Sequence, residues 1–284
     1  MNKKKKIITD ISLKVLAGFV VLMVFLPIIL MIPSMFKGKK EIFSYPWHFL
    51  PQQFTADNFS RLMYLQHTTL EINFYKSLFM TILVAAIAVV GSLAINMIAA
   101  YAFARVKIPA KNIIWKMILF TMFIPGITIL ITSIRVVSEL NLLNSMAGLV
   151  IPGLVSAYNL FFFRQFFVGF PQELDEAAKI DGASIWQIFT RIYLPMSKTP
   201  MIIIGASIFM GYYNSYVWPT LILDQEHKGL FQMMTVIYSL FADAGDIGYG
   251  AVLAAAFIAM IPPLVIFVVV QKHIKDGIQL TGVK

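Results

Sequence analysis

Residues Pro171 to Pro195 read PQELDEAAKIDGASIWQIFTRIYLP. This is the one long amphipathic stretch in a chain otherwise built from apolar runs, and its reading decides how the rest is arranged. Pro171 suits a first helical position, where its missing N–H costs nothing. Glu173, Asp175 and Glu176 follow in the first turns, beside the positive end of the helix dipole. Gly182 ends this helix, because glycine takes the left-handed cap conformation without strain. Ser184 opens a second helix, with Gln187 three residues on in a capping-box pattern. Ile185, Ile188, Phe189 and Ile192 recur at i, i+3, i+4 and i+7 and share one face. Ala177, Ala178 and Gly182 make a patch of small residues rimmed by acids, which a partner's groove can approach closely. By pattern alone, a helical hairpin resting on a membrane interface accounts for the segment equally well.

The surroundings are those of a membrane protein. The chain has 284 residues, 59% hydrophobic and 13% charged, with a mean hydropathy of +0.79. A soluble domain carries about 25% charged residues. With no cysteine, disulfides, thiolate metal sites and thiol nucleophiles are excluded. The net charge is +9, but no basic patch interleaves with aromatics outside the apolar runs, so a nucleic-acid partner is not indicated.

Six apolar runs are long enough to span a bilayer, and the sequence predicts an all-α polytopic protein. They are Val15–Phe36, Ser77–Phe103, Ile113–Ile134, Met146–Phe163, Met201–Leu223 and Gly250–Val270. The first run is too long for a signal peptide and lacks a small-residue cleavage site, so it is read as a retained span. A short interfacial helix is expected over residues 55–65. Pro125-Gly126, Pro152-Gly153, Pro219 and Pro262-Pro263 interrupt the later spans, most simply as kinks. Of the 23 Lys and Arg residues, 16 fall on the side that holds both termini and the Pro171–Pro195 segment. That side is assigned to the cytoplasm. The cluster Lys37, Lys39, Lys40 falls on the opposite side, against the rule.

The runs contain no aspartate, glutamate or histidine, which secondary carriers use to couple ions to transport. There is no phosphate-binding loop of the G-x-x-x-x-G-K-[ST] type, so the driving energy is expected from a partner ATPase. His48, His67, His227 and His273 are scattered without metal-ligand spacing, and no nucleophile constellation is found. Polar residues inside spans are the candidates for a solute path. Ser92 and Asn96 lie four apart on one face of span two. Tyr212, Tyr213, Asn214, Tyr216 and Trp218 cluster in span five, where aromatic, amide and hydroxyl groups suit sugar rings. Interhelical hydrogen bonding and an interfacial aromatic belt explain the same residues.

The order Glu176-Ala177-Ala178, then Gly182, Ile192 and Leu194-Pro195 resembles the EAA motif of binding-protein-dependent ABC importer permeases. The flanks Arg164-Gln165-Phe166-Phe167 and Ile180-Asp181-Gly182-Ala183-Ser184 are similar as well. So is Ala99–Arg105 at the end of span two. The tail, with Gln271, Gly277 and Thr281 to Lys284, looks like that of carbohydrate-type permeases, close to the smaller subunit of maltose importers. Lys76-Ser77-Leu78 departs from the usual Asn-Ser-Leu, and Asn214–Pro219 lacks the frequent acidic residue.

The resemblance implies a type I permease fold. Its parts are an N-terminal span (1–36), an external segment (37–74), a five-helix core (75–271) and a cytoplasmic tail (272–284). It implies a coupling helix carrying Glu176, Ala177, Ala178, Asp181, Gly182, Ile192, Leu194 and Pro195. The implied partners are a second permease, two ATPase subunits holding ATP and magnesium, and an external solute-binding protein. The chain itself is then no enzyme and holds no cofactor. It sits in the bacterial cytoplasmic membrane, with a sugar or oligosaccharide as solute. A non-sugar solute on the same fold is the nearest alternative, and a self-contained carrier or membrane enzyme a remote one.

Overall fold

The computed structural model describes residues 3–63 and 72–281, without the side chains of 3–8, 246 and 274–281. The last residues of the tail, 282–284, lie outside the described residues. Every regular element among the described residues is helical. Helices α1 (Lys3–Ser34), α2 (Asp57–Arg61) and α3 (Phe74–Arg105) are followed by α4 (Lys111–Thr121) and α5 (Gly126–Glu139). Next come α6 (Met146–Val150), α7 (Ala157–Val168), α8 (Glu173–Ile180), α9 (Ile185–Ile188) and α10 (Leu194–Met196). The chain continues through α11 (Lys198–Tyr213), α12 (Val217–Ile222), α13 (Met233–Ala242), α14 (Ala244–Ile247) and α15 (Tyr249–Thr281).

Three helices are long and apolar enough to cross a membrane: residues 9–34 of α1, all of α3, and residues 249–273 of α15. Three bent pairs raise the count to as many as six. The third expected span is not a kinked rod. Helices α4 and α5 meet at 104°. Pro125, extended at φ −58° and ψ 134°, is the N-cap of α5, so the chain stops and restarts there. The fourth bends by 48° through a 3₁₀ turn at Ile151–Gly153. By contrast Pro262 and Pro263 lie inside a continuous α15, and Pro27 and Pro33 inside α1, so these prolines do not break their helices. Within the stretch 55–65, where a short helix is expected, α2 runs for five residues.

The chain divides into two compact units. In the unit of residues 1–75 and 237–261, the buried Asn58 amide donates to the carbonyls of Met35 and Lys37, each at 2.8 Å, tying α2 to the end of α1. Gly250 packs against that amide so closely that a Cβ there would lie 2.5 Å from Nδ2. Lys37, which ran against the charge rule, is fully buried. Its ammonium donates to the His48 carbonyl and lies 4.8 Å from the Trp47 ring centre. Cation–π contact and a carbonyl replace solvent there, so Lys37 is a packed residue rather than a surface charge.

In the unit of residues 76–236 and 262–284, the core joins α3, α7, the Pro171–Pro195 segment and α11. Met97, Ala100 and Tyr101 of α3 meet Phe163 and Phe167 of α7 there. Each is 6% exposed or less.

Candidate functional site: a clamped hairpin and an uncharged cleft

The Pro171–Pro195 segment forms the two short helices its sequence predicts. Helix α8 starts at Glu173, two residues after Pro171. It ends in a Schellman pattern: Ala183 N–H donates to the Ala178 carbonyl at 2.9 Å and Gly182 N–H to Lys179 at 3.0 Å. Gly182 has φ +76°. The capping box at Ser184 is complete: Gln187 N–H donates to Ser184 Oγ, and Ser184 N–H donates to Gln187 Oε1 at 2.7 Å. A π turn over Phe189–Tyr193 then follows. Its extra residue per turn changes the phase of the face. Ile188 and Phe189 are buried, Ile192 is half-buried, Ile185 is exposed, and Tyr193 takes the deepest place.

That tyrosine is part of a polar clamp that the sequence reading did not assemble. The Tyr193 hydroxyl donates to Asp175 Oδ2 at 2.8 Å. Arg105, the last residue of α3, lies 3.4 Å from the same carboxylate, with both side chains 9% exposed. Its guanidinium also donates to the Phe167 carbonyl in the last turn of α7 at 2.8 Å, and to that of Phe170. It stands 5.6 Å over the Tyr193 ring. A cation on the final carbonyls of a helix is favoured by the helix dipole. Burial, and then the bond to Asp175, push the Tyr193 phenol well above its ordinary range, so it stays a neutral donor. Tyr101, Phe167 and Phe170 ring Tyr193 at centroid distances of 4.9, 5.4 and 5.1 Å. One side of the hairpin is thus locked to α3 and α7 by charge, hydrogen bonds and aromatic packing.

The expected docking residues divide between two faces. Glu176, Ala177, Asp181, Gly182 and Pro195 are exposed, and Leu194 and Ile192 are half-buried. Ala178 faces inward: it is 9% exposed and packs in the core against α3 and α7, where its small size allows close packing within the chain. Ile180, 86% exposed, and Ile185 and Trp186 join the outer face instead. They were legible as apolar residues flanking Gly182, but the helical period grouped Ile185 with Ile188 and Phe189, which are buried.

The second feature is a cleft of about 510 Å³ in the same unit, between α5, the α6–α7 break, α11 and α12. Of the residues expected to line a path, Tyr212 and Trp218 line it. Each is fixed at its polar tip: Tyr212 donates to the Val150 carbonyl at 2.9 Å and Trp218 Nε1 to that of Gly148 at 3.1 Å. Both carbonyls belong to α6. Asn96 and Tyr213 lie outside its lining. Asn96 is fully buried and spends its amide on the chain break before α7. It donates to the Ser92 and Leu154 carbonyls and accepts from Ser156 N–H at 3.0 Å. Tyr213, 1% exposed, donates to the Met233 sulfur. Asn214 and Tyr216 are exposed and lie outside the lining. Gln232, Asn159, Ser156 and Ser207 line the cleft and were missed. Ser156 and Asn159 share the start of α7, but Ser207 and Gln232 come from other parts of the chain, so no single periodicity marks the set.

Comparison with known proteins places this architecture. The family model of the binding-protein-dependent transport system inner membrane component matches residues 95–279. The sn-glycerol-3-phosphate transport system permease protein UgpE of Escherichia coli O1:K1 is 31% identical over 241 residues, covering 84% of this chain and 85% of that protein. The UgpE of Yersinia enterocolitica serotype O:8 is 29% identical over 270 residues, 95% of each chain. A bacterial ABC transporter involved in the import of the acidic polysaccharide alginate superposes with a TM-score of 0.81 at 26% identity, covering 96% of this chain and 98% of that one. A second alginate transporter structure, at 15% identity and a TM-score of 0.65, shares the fold. The chain belongs to the family of binding-protein-dependent transport system inner membrane components.

Proposed function

We propose that this chain is one permease subunit of a bacterial ATP-driven importer for a sugar or oligosaccharide. An external solute-binding protein delivers the solute. A second permease subunit completes the path, and two ATPase subunits bind ATP and magnesium and hydrolyse the nucleotide. The chain is a transporter component, not an enzyme, and lies in the cytoplasmic membrane with both termini and the Pro171–Pro195 hairpin inside. The asymmetry of Lys and Arg supports that orientation.

The observation that carries the reading is the two-faced hairpin. Its inner face is clamped by Arg105, Asp175 and Tyr193, while Glu176, Ala177, Ile180, Gly182 and Trp186 stay exposed. Such an element transmits force. When ATPase subunits close and carry the outer face with them, the clamp moves the ends of α3 and α7. Helix α7 has 12 residues, about 18 Å at the usual rise, and its first turn carries Asn159 at the cleft. The hairpin is therefore linked to the solute cleft by one rigid rod.

Gly182→Trp tests it. Nothing lies within 4 Å of a Cβ built at Gly182, so the side chain starts outward from the exposed face, toward a partner, at the cost of a left-handed backbone. The variant should insert and pair with the second permease, yet recover less ATPase on purification, and what remains should not respond to loaded binding protein. Full recovery with normal stimulation would show that the hairpin is not the coupling element. A second reading, import of a small phosphorylated polyol, is favoured by the names of the UgpE relatives. It predicts ATP-dependent uptake of glycerol phosphate by the complete importer.

A further inference from the structure

We propose that the cleft beside α7 passes uncharged, hydroxyl-rich solutes and not phosphorylated or uronic-acid sugars, with Gln232 as a specificity-determining contact; this rests on the importer reading above. No aspartate, glutamate, lysine, arginine or histidine lines the cleft among the described residues. Its polar groups include the hydroxyls of Ser133, Ser156, Tyr158, Ser207, Tyr212 and Ser215 and the amides of Asn159 and Gln232. Trp218 and Tyr212 add aromatic faces, which pack on the apolar sides of sugar rings. A volume of about 510 Å³ has room for a stretch of oligosaccharide.

Gln232 marks where a solute hydroxyl is missing. It is 2% exposed, and its Oε1 has no hydrogen-bond partner among the described residues. Its backbone is fixed next door, where Met233 N–H donates to the buried Thr81 hydroxyl at 2.7 Å. Buried side-chain acceptors are rarely left unmatched unless a ligand or water uses them. A sugar hydroxyl supplies the missing donor. Hydroxyls of an anionic sugar supply one as well; what the cleft rejects is the anionic group itself, since the lining offers no cation to offset a desolvated charge. Glycerol 3-phosphate and the acidic polysaccharide alginate, named for the relatives, are both anionic. The chain keeps their fold around a lining without charge.

The cysteine-free sequence allows a test that does not depend on the selectivity of the binding protein. Ser207→Cys, in the assembled importer with partner thiols removed, places a single thiol in the cleft. Its modification by a methanethiosulfonate reagent is followed with neutral gluco- and xylo-oligosaccharides present, or with oligouronates of equal length. Ser138→Cys, exposed and outside the lining, serves as control. Neutral oligosaccharides should slow labelling at Ser207→Cys alone, and oligouronates should not. Adding Gln232→Leu should weaken that protection by about three- to tenfold, the worth of one hydrogen bond, while Gln232→Asn keeps part of it. Equal or stronger protection by oligouronates would overturn the inference and leave sugar import standing. Protection by neither, in an importer that takes up neutral sugar, would overturn it too, by moving the path elsewhere. Absence of any sugar uptake would instead defeat the importer reading.

Discussion

The hairpin and the cleft are built on opposite electrostatic plans. The hairpin is held by an ion pair with both side chains 9% exposed, and a tyrosine hydroxyl bound to the same carboxylate. The cleft, at the other end of α7, is lined among the described residues by no charged side chain. On the proposed function, charge is concentrated where force is passed between elements and withheld where a solute slides. A buried ion pair is stiff because each partner leaves the other stranded if it moves. A lining of hydroxyls and amides offers many weak, exchangeable bonds.

The largest effect is expected from breaking the clamp. Asp175→Ala leaves the Arg105 guanidinium buried with only the Phe167 and Phe170 carbonyls to meet it. Removing one member of a buried pair costs about 3–5 kcal/mol. Thermal unfolding of the purified complex in detergent should show that loss. The double variant Arg105→Met with Asp175→Ala should regain much of it, since the stranded charge is gone. If the double variant is no better than the single, the clamp acts through packing of the hairpin and not through charge.

A smaller loss separates two amides of the cleft region. Asn96 uses both its donor and its acceptor, holding the Leu154 carbonyl and the Ser156 N–H across the break before α7. Asn96→Leu should cost about 1–3 kcal/mol, the penalty for buried backbone groups left without partners. Gln232→Leu removes an acceptor that is already unmatched and should leave the melting temperature unchanged or slightly raised. The same pair of variants should reverse order in solute protection, where Gln232 matters and Asn96 does not. Equal destabilisation by both would place Gln232 in the scaffold with Asn96.

These contrasts also explain what the sequence could reveal. The hairpin was legible because its signals are local. A glycine cap, a capping box and an acidic first turn lie within 25 consecutive residues, and each has a physical meaning at its own position. The spans were legible from length and apolarity. What escaped were facts that depend on distant partners. Asp175 reads as a helix-dipole acid, and only the approach of Arg105, 70 residues earlier, makes it half of a buried pair. Asn96 reads as a polar residue inside a span, and only the break near Pro152 shows that backbone groups needed it. The π turn at Phe189–Tyr193 shifts the helical period by one residue beyond it, so Tyr193 turned inward where the regular period had pointed to Ile192. Pro125 and Pro262 look alike in sequence, yet one separates helices bent by 104° and the other lies inside an unbroken helix.

The tip of the hairpin should give a modest folding effect, and there the comparison is most sensitive. Gly182 has φ +76°, and a Cβ there would meet nothing within 4 Å. Gly182→Ala therefore introduces no clash inside the chain, only the cost of holding a side chain in the left-handed region, about 1–2 kcal/mol. Gly182→Asn should cost less, because asparagine visits that region readily. Melting should thus rank Gly182→Asn closest to wild type, then Gly182→Ala, with Asp175→Ala far below. Coupling should follow a different order. Alanine and asparagine add little bulk to the outer face, so stimulation of the ATPase by loaded binding protein should largely survive, whereas Gly182→Trp should abolish it at a folding cost close to that of alanine. The separation of the two orders is the informative result: the clamped face sets stability and the open face sets coupling. If Gly182→Ala melts as low as Asp175→Ala, the tip is packed against the rest of the assembly even at rest, and the two faces of the hairpin are not independent.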